Sequence, residues 1–272
     1  TKTPSVGLKI MIRLGRGHSG AHLTLLFSIE DNSEDPLFQG SLGVGICLED
    51  GVEAFAKGEE GDYKLEVDFV KGTGDWRLYE EVLKCLSDEI PEVLELSWEL
   101  KLKLELPTSQ GFGMSASGAI AAAEAFQRAI GIPYEECRRR AFLIAHIVER
   151  KRSTGLGDTT ALSAGGVERR LEAGSPYNGK KLINGPGISE GWSEKIPVLL
   201  VWKESTGAHT ASYIDNKIWK ENISIAGKAQ MNKLSEGNWN SDRWDEILDS
   251  SQKFVEDSKL LDDLSRNKLR EI

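Results

Sequence analysis

Residues 107–119 read P-T-S-Q-G-F-G-M-S-A-S-G-A, and they join two segments of opposite character. Upstream, Leu96, Trp98, Leu100, Leu102, Leu104 and Leu106 alternate with Ser97, Glu99, Lys101, Lys103 and Glu105. That period of two predicts a strand with one buried and one solvated face. Pro107 ends it, because proline has no N–H to give to a sheet. Downstream, residues 115–130 are almost all Ala, Gly, Ser and strong helix formers, so a helix is expected to begin near Ser115. Its free N–H groups and positive dipole end would face the turn. Gly111 and Gly113 let the backbone approach an anion without a Cβ in the way, and the whole unit reads as a phosphate cradle. A tight turn ahead of an alanine-packed core helix would look the same, so the rest of the chain has to decide.

Outward from this unit, strands are expected over residues 9–14 and 22–29, with the glycine-rich 15–20 between them. A turn follows at 31–36, then strands at 41–48 and 64–70. Residues 76–90 and 134–150 carry apolar side chains at helical spacing. Another strand is expected to begin at Gly165-Gly166, a buried one at 198–203, and a mostly helical stretch at 244–261. No internal repeat is visible, and the order of elements reads as a mixed α+β chain.

At 272 residues the chain suits one large domain or two intimately packed halves. Hydrophobic residues at 39% and charged ones at 28% are ordinary globular values, and no stretch is long and apolar enough to span a bilayer. The first residues, T-K-T-P-S-V-G, lack the apolar core of a secretion signal, so no membrane partner is expected. Cys47, Cys85 and Cys137 are too few and too scattered for a disulfide framework or a cysteine zinc site, which suggests core thiols in a reducing, cytoplasmic setting. A net charge of −9 argues against a nucleic-acid partner but leaves room for a local basic pocket that holds a small anion.

Two other glycine motifs are decoys. Gly15-x-Gly17-x-x-Gly20 has dinucleotide spacing, yet an apolar β-like run follows it where that motif needs a helix. The segment from Gly174 to Gly179-Lys180-Lys181 has Walker A spacing, but Lys181 stands where a Ser or Thr is needed and no helix opens after it, so it reads as a surface turn.

The second informative segment is 145–166, A-H-I-V-E-R-K-R-S-T-G-L-G-D-T-T-A-L-S-A-G-G. Glu149 ends an amphipathic helix and Asp158 follows a glycine-rich turn. Two such carboxylates can divide labour, one on a divalent cation and one taking a proton from a hydroxyl, although an isolated Asp or Glu is more often a solvated side chain or a cap. His146 and Glu149 form H-x-x-E, not a zinc-binding H-E-x-x-H, and His146 reads as a packed helix residue.

Together the two segments resemble the GHMP small-molecule kinases, which include galactokinase and the homoserine, mevalonate and phosphomevalonate kinases. The phosphate loop of that family has the form P-x-x-x-G-[L]-G-S-S-A, and here it reads Pro107-Thr108-Ser109-Gln110-Gly111-Phe112-Gly113-Met114-Ser115-Ala116. An Asp seven residues before a Gly-Gly pair is matched by Asp158 and Gly165-Gly166. His18, Asp35-Pro36, the run Gly40-Ser41-Leu42-Gly43-Val44-Gly45, and the G-F-G-M-S and T-G-L-G-D motifs look like the archaeal pantoate kinase branch. That branch usually shows P-G-H-I-T near its start, and Arg16-Gly17-His18-Ser19-Gly20 is set against it here.

The resemblance implies a two-lobed α+β fold. Residues 1–165 would be the ATP-binding domain, resembling ribosomal protein S5 domain 2, and 166–272 a ferredoxin-like C-terminal domain in which the family's last glycine-rich motif is not found. It implies ATP held by Pro107, Gly111, Phe112, Gly113, Met114, Ser115, Ala116 and Ser117. Mg²⁺ would sit on Ser115 and Glu149, and Asp158 would orient or deprotonate the acceptor hydroxyl, making these three the catalytic set. The acceptor, a small carboxylic acid with a primary hydroxyl, would lie near His18, Asp35, Ser41 and Gly43, with Arg150, Lys151 and Arg152 as candidates to meet its carboxylate. Pantoate, phosphorylated at its 4-hydroxyl for coenzyme A synthesis, is the first choice. Mevalonate or mevalonate 3-phosphate 5-kinase activity, and a nonenzymatic ATP-binding sensor, are the alternatives. A homodimer is among the assemblies the resemblance admits.

Overall fold

The computed structural model describes residues 11–202 and 216–260. A six-stranded sheet is built around one long strand, β2 (Gly43–Glu60). Strand β1 (Ile12–Phe27) runs antiparallel along one side of it. The other side is shared: Val52–Glu60 pair with β4 (Leu96–Leu104), and Gly43–Ile46 pair with β5 (Val167–Glu172). Strand β3 (Lys64–Lys71) adds in parallel to β4, and β8 (Ile188–Trp192) adds antiparallel to β5. The short strands β6 (Tyr177–Asn178) and β7 (Ile183–Asn184) form a separate hairpin-like pair.

Helices cover the sheet in two groups, each with its own core. In the first, α1 (Arg77–Ser87), α2 (Met114–Ala129) and α3 (Tyr134–Arg152) pack with the buried Leu96, Trp98, Leu100, Leu102 and Leu104 of β4. The alternation seen in the sequence therefore sets the β4 face, with Lys101 and its neighbours on the open side. Helix α2 is buried on every side from Ala116 to Gln127, and its many Ala, Ser and Gly residues let neighbouring elements pack close. In the second core, α5 (Lys217–Leu234) and α6 (Trp244–Ser258) place Ile223, Met231, Leu234, Ile247 and Phe254 against Leu26, Ile29, Val44 and Val167. Between the groups lies the short α4 (Asp158–Ala164).

Several expectations need correction. The glycine-rich 15–20 does not separate two strands, since β1 runs through it. Its glycines serve packing: a Cβ at Gly17 would lie 2.0 Å from the Ala121 carbonyl oxygen, and one at Gly15 2.0 Å from that of Ala125, so their absence lets α2 lie directly on β1. Residues 198–202 form no strand, and Leu199 is 88% exposed; Lys203 lies outside the described residues. Helix α5 was not expected. Its buried face includes Gly227 and Gln230, which weaken the apolar pattern. The last residue of the helix expected over 244–261 lies outside the described residues, as do residues 9 and 10 of the first expected strand. Among the described residues, no helix is long and apolar enough to cross a membrane.

Candidate active site

The turn after β4 enters α2 as the glycine spacing suggests. Gly113, with φ of 58°, is the N-cap, and Gly111 has φ of 84°. Both lie in the left-handed region where glycine carries no Cβ penalty. The turn is tied to β1 by the His22 backbone N–H, which donates to the Phe112 carbonyl (3.1 Å). A cavity of about 940 Å³ opens in front of it. Gly111, Phe112, Gly113, Met114 and Ser115 line this cavity together with Ser41, Asp158 and Arg170. Thr73, Gly74 and Tyr79 also line it, beside Arg152, which is paired with Asp75 (2.7 Å) and Glu81 (2.7 Å).

The centre of the site is a buried charge cluster. The pairing of β1 with β2 shifts register between Gly20 and His22, where Leu48, Glu49 and Asp50 of β2 stand opposite Ala21. The even-numbered Ile12, Leu14, Arg16 and His18 are exposed, while His22, further along the same strand, is fully buried where α4 and β5 cover it. His22 Nδ1 donates to Asp158 Oδ1 (2.6 Å) and Nε2 to Glu168 Oε1 (3.1 Å). Two carboxylates can only accept, so both ring nitrogens carry protons and His22 is an imidazolium. Burial works against that charge, but Asp158 and Glu168 outweigh it and raise the His22 pKa above the usual range. Burial likewise pushes the Asp158 carboxyl up, and His22 and Arg170 more than reverse it, leaving Asp158 ionised below the usual carboxylate range. Arg170 Nη1 donates to Glu168 Oε1 (2.6 Å), and Arg170 Nε has no partner among the described residues.

The glycines of residues 40–45 make room for this cluster. A Cβ at Gly43 would lie 2.2 Å from Arg170 Nη2, and one at Gly45 would lie 2.2 Å from His22 Nε2. Beside the cluster, Ser115 Oγ donates to Glu149 Oε2 (3.1 Å) and Thr154 Oγ1 to Glu149 Oε1 (2.8 Å). Burial and the neighbouring Asp158 push the Glu149 carboxyl up to about 7.

Of the residues singled out in the sequence, the fold brings Ser115, Glu149, Asp158, Ser41, Gly43 and the 111–115 turn together. Others stand elsewhere. Strand β4 already ends at Leu104, short of the expected Leu106, Pro107 follows it without lining the cavity, and Ala116 is buried in the core. Ser117 is buried, its hydroxyl donating to the Gly20 carbonyl (2.6 Å), where it pins α2 to β1. Asp35 caps a 3₁₀ turn (Pro36–Phe38) by accepting from the Leu37 N–H. His18 lines a different cavity. His146 is packed as expected, with Nε2 donating to the Pro36 carbonyl (2.9 Å). Arg150 reaches Gln39 and the Gly155 carbonyl, and Lys151 approaches Cys85, so it is Arg170 that joins Asp158.

Sequence reasoning missed His22, Glu168 and Arg170. A signal for the first existed: Gly20-Ala21-His22-Leu23-Thr24 follows the P-G-H-I-T form in its histidine, its apolar residue and its threonine, better than residues 16–20 do. For Glu168 and Arg170 there was none, since V-E-R-R-L-E reads as an ordinary charged strand.

Comparison with known proteins agrees with this layout. Residues 77–166 match the GHMP kinases N terminal domain. A pantoate kinase of Thermococcus kodakarensis is 33% identical over 158 residues, covering 57% of this chain and 51% of that protein. The chain thus matches about half the length of this relative. A solved phosphotransferase related to the CoA biosynthesis pathway superposes with a TM-score of 0.70 at 25% identity, over 92% of this chain and 77% of that one. A mevalonate kinase structure, at 10% identity, shares the fold alone, with a TM-score of 0.56 over 93% of this chain and 81% of that one. With the glycine turn at the head of a buried helix and an ionised aspartate across the same cavity, residues 77–166 are similar to the GHMP kinases N terminal domain in the part that builds the site.

Proposed function

We propose that this chain is the catalytic part of an ATP-dependent kinase that phosphorylates the primary hydroxyl of a small hydroxy acid, pantoate first among them. The observation that carries the reading is the ionised Asp158, held by His22, on the same cavity as the glycine turn. The triphosphate lies against the main-chain N–H groups of the turn and the first turn of α2, where the helix dipole favours negative charge. The acceptor hydroxyl lies beside Asp158. Its oxygen attacks the terminal phosphorus, its proton passes to Asp158 Oδ, and the bond to the ADP oxygen breaks. Arg170, with an unused buried Nε, meets the acceptor carboxylate.

Ser115 and Glu149 form a pair of hard oxygen donors, and burial leaves Glu149 short of countercharge. Such a set suits Mg²⁺, which is commonly held by one or two carboxylates plus substrate phosphates. Among the described residues no group of three or more His, Cys, Asp or Glu is placed to hold a metal on its own, in keeping with a shared ion. When bound, the cation neutralises phosphate charge.

The test is ADP release by the purified chain with pantoate, mevalonate, mevalonate 3-phosphate or homoserine, with ³¹P NMR of the product. Turnover with pantoate is expected, and Arg170→Ala should raise KM for the acid by about 10- to 100-fold while sparing KM for ATP. Turnover with mevalonate in place of pantoate would move the assignment within the family. Turnover with none of them would refute it.

A further inference from the structure

A second cavity, of about 700 Å³, lies apart from the catalytic one. Ile120 and Glu124 of α2 and Arg138 and Phe142 of α3 line it together with residues 193–198 and Leu200. Neither Asp158, Arg170 nor the glycine turn takes part. Glu124 is only 6% exposed. Its Oε2 accepts the His18 backbone N–H (3.3 Å), while its Oε1 is buried and has no hydrogen-bond partner among the described residues. A carboxyl oxygen left in that state marks a place where a donor is missing.

The nearest basic side chain does not supply that donor. Arg138 turns its guanidinium to the Tyr134 hydroxyl (3.1 Å) and over the Phe142 ring (5.4 Å). Four carboxylates line the cavity, Glu49, Asp50, Glu124 and Glu194, against two fixed cations, Arg138 and Lys195, so its field favours a positive guest. The remaining wall near Glu124 is apolar, from Ile120, Phe142 and Leu162. Charge at one end and an apolar surface beside it define an amphipathic guest.

We propose that this cavity is a second binding site, for a small organic cation whose ammonium group donates to Glu124 and whose apolar body lies on Ile120, Phe142 and Leu162. It needs no residue of the phosphate site, so occupancy by nucleotide and by the cation are separable. The probe is benzylammonium, with benzyl alcohol as its uncharged match, titrated into the full chain by calorimetry and ¹⁵N NMR. Benzylammonium should bind saturably and shift the amides of Ile120 and Gly165. Benzyl alcohol should bind at least about tenfold more weakly, and Glu124→Gln should weaken benzylammonium by a similar factor. A nonhydrolysable ATP analogue should not compete. If Glu124→Gln does not fold, the exposed pair Glu49→Gln and Asp50→Asn provides the second arm, with weaker binding expected. No saturable binding at millimolar benzylammonium, equal binding of the alcohol, or undiminished binding by the variants would overturn the proposal.

Discussion

Replacing Asp158 by Asn keeps its size and an oxygen that can accept from His22 Nδ1, and removes only the charge. In the native site that charge is one of two that hold His22 protonated, and it is stabilised in turn by His22 and Arg170. If Asp158 takes the acceptor proton, Asp158→Asn should lower kcat by about two to four orders of magnitude. That is about 3–5 kcal/mol of transition-state stabilisation. The folded state should lose less, because Asn still accepts and His22 keeps Glu168; a charge-assisted hydrogen bond contributes about 1.5–3 kcal/mol in full. In the proposed function nucleotide binds at the 111–115 turn, so its affinity should stay near the parent value. Steady-state kinetics, calorimetry with a nonhydrolysable ATP analogue and thermal unfolding on the same preparation separate these terms. The companion variant His22→Gln acts through Asp158: without the imidazolium, burial raises the Asp158 pKa and the acid limb of kcat/KM moves to higher pH. A kcat within about threefold of the parent for Asp158→Asn, too small for loss of a positioned base, would refute the reasoning, as would an unmoved acid limb for His22→Gln.

Ser115→Ala and Glu149→Gln should each raise the Mg²⁺ concentration needed for half-maximal turnover, and a metal titration in which neither shifts would remove both residues from the ion. Gly113→Val places a β-branched residue at φ of 58°, with its Cβ 3.3 Å from Asp158 Cγ and from His22 Cβ, so nucleotide binding should be lost. Changing Lys180 and Lys181 together to Ala should leave nucleotide binding intact, since neither lines the cavity; calorimetry showing the reverse pattern would displace the phosphate site. Burial lowers the His146 pKa to about 4, from 6.5 in an unfolded chain, so His146 contributes stability that is full above pH 6.5 and lost as pH falls toward 4. The loss comes to about 3 kcal/mol, and urea unfolding at neutral and acid pH should show His146→Gln with the flatter profile.

The strand, turn and helix at 96–129 were legible because each is a local matter. The two-residue period of β4 follows from burying one face, and the start of α2 follows from a glycine turn before a helix-forming run. The same local reading erred where packing changes what a residue is for. Gly15 and Gly17 look like chain breakers and are in fact the contact surface for α2. Helix α5 escaped notice because Gly227 faces inward, where a Cβ would lie 2.1 Å from the Phe27 carbonyl oxygen, and Gln230 is buried beside it. Residues 198–202 are apolar enough for a strand, but among the described residues none pairs with them in a ladder.

The sequence by itself determined the glycine turn ahead of α2, the two carboxylates and their order along the chain, since glycine torsions, helix ends and apolar periodicity act over a few residues. Only the tertiary structure decided which side chains share the site. His22 meets Asp158 across 136 positions and Glu168 across 146, while His18, on the same strand, is exposed and lines a different cavity. The charge states follow from that assembly: an isolated histidine, aspartate or glutamate titrates near its ordinary value, and only burial beside named partners raises His22 and Glu149 and lowers Asp158.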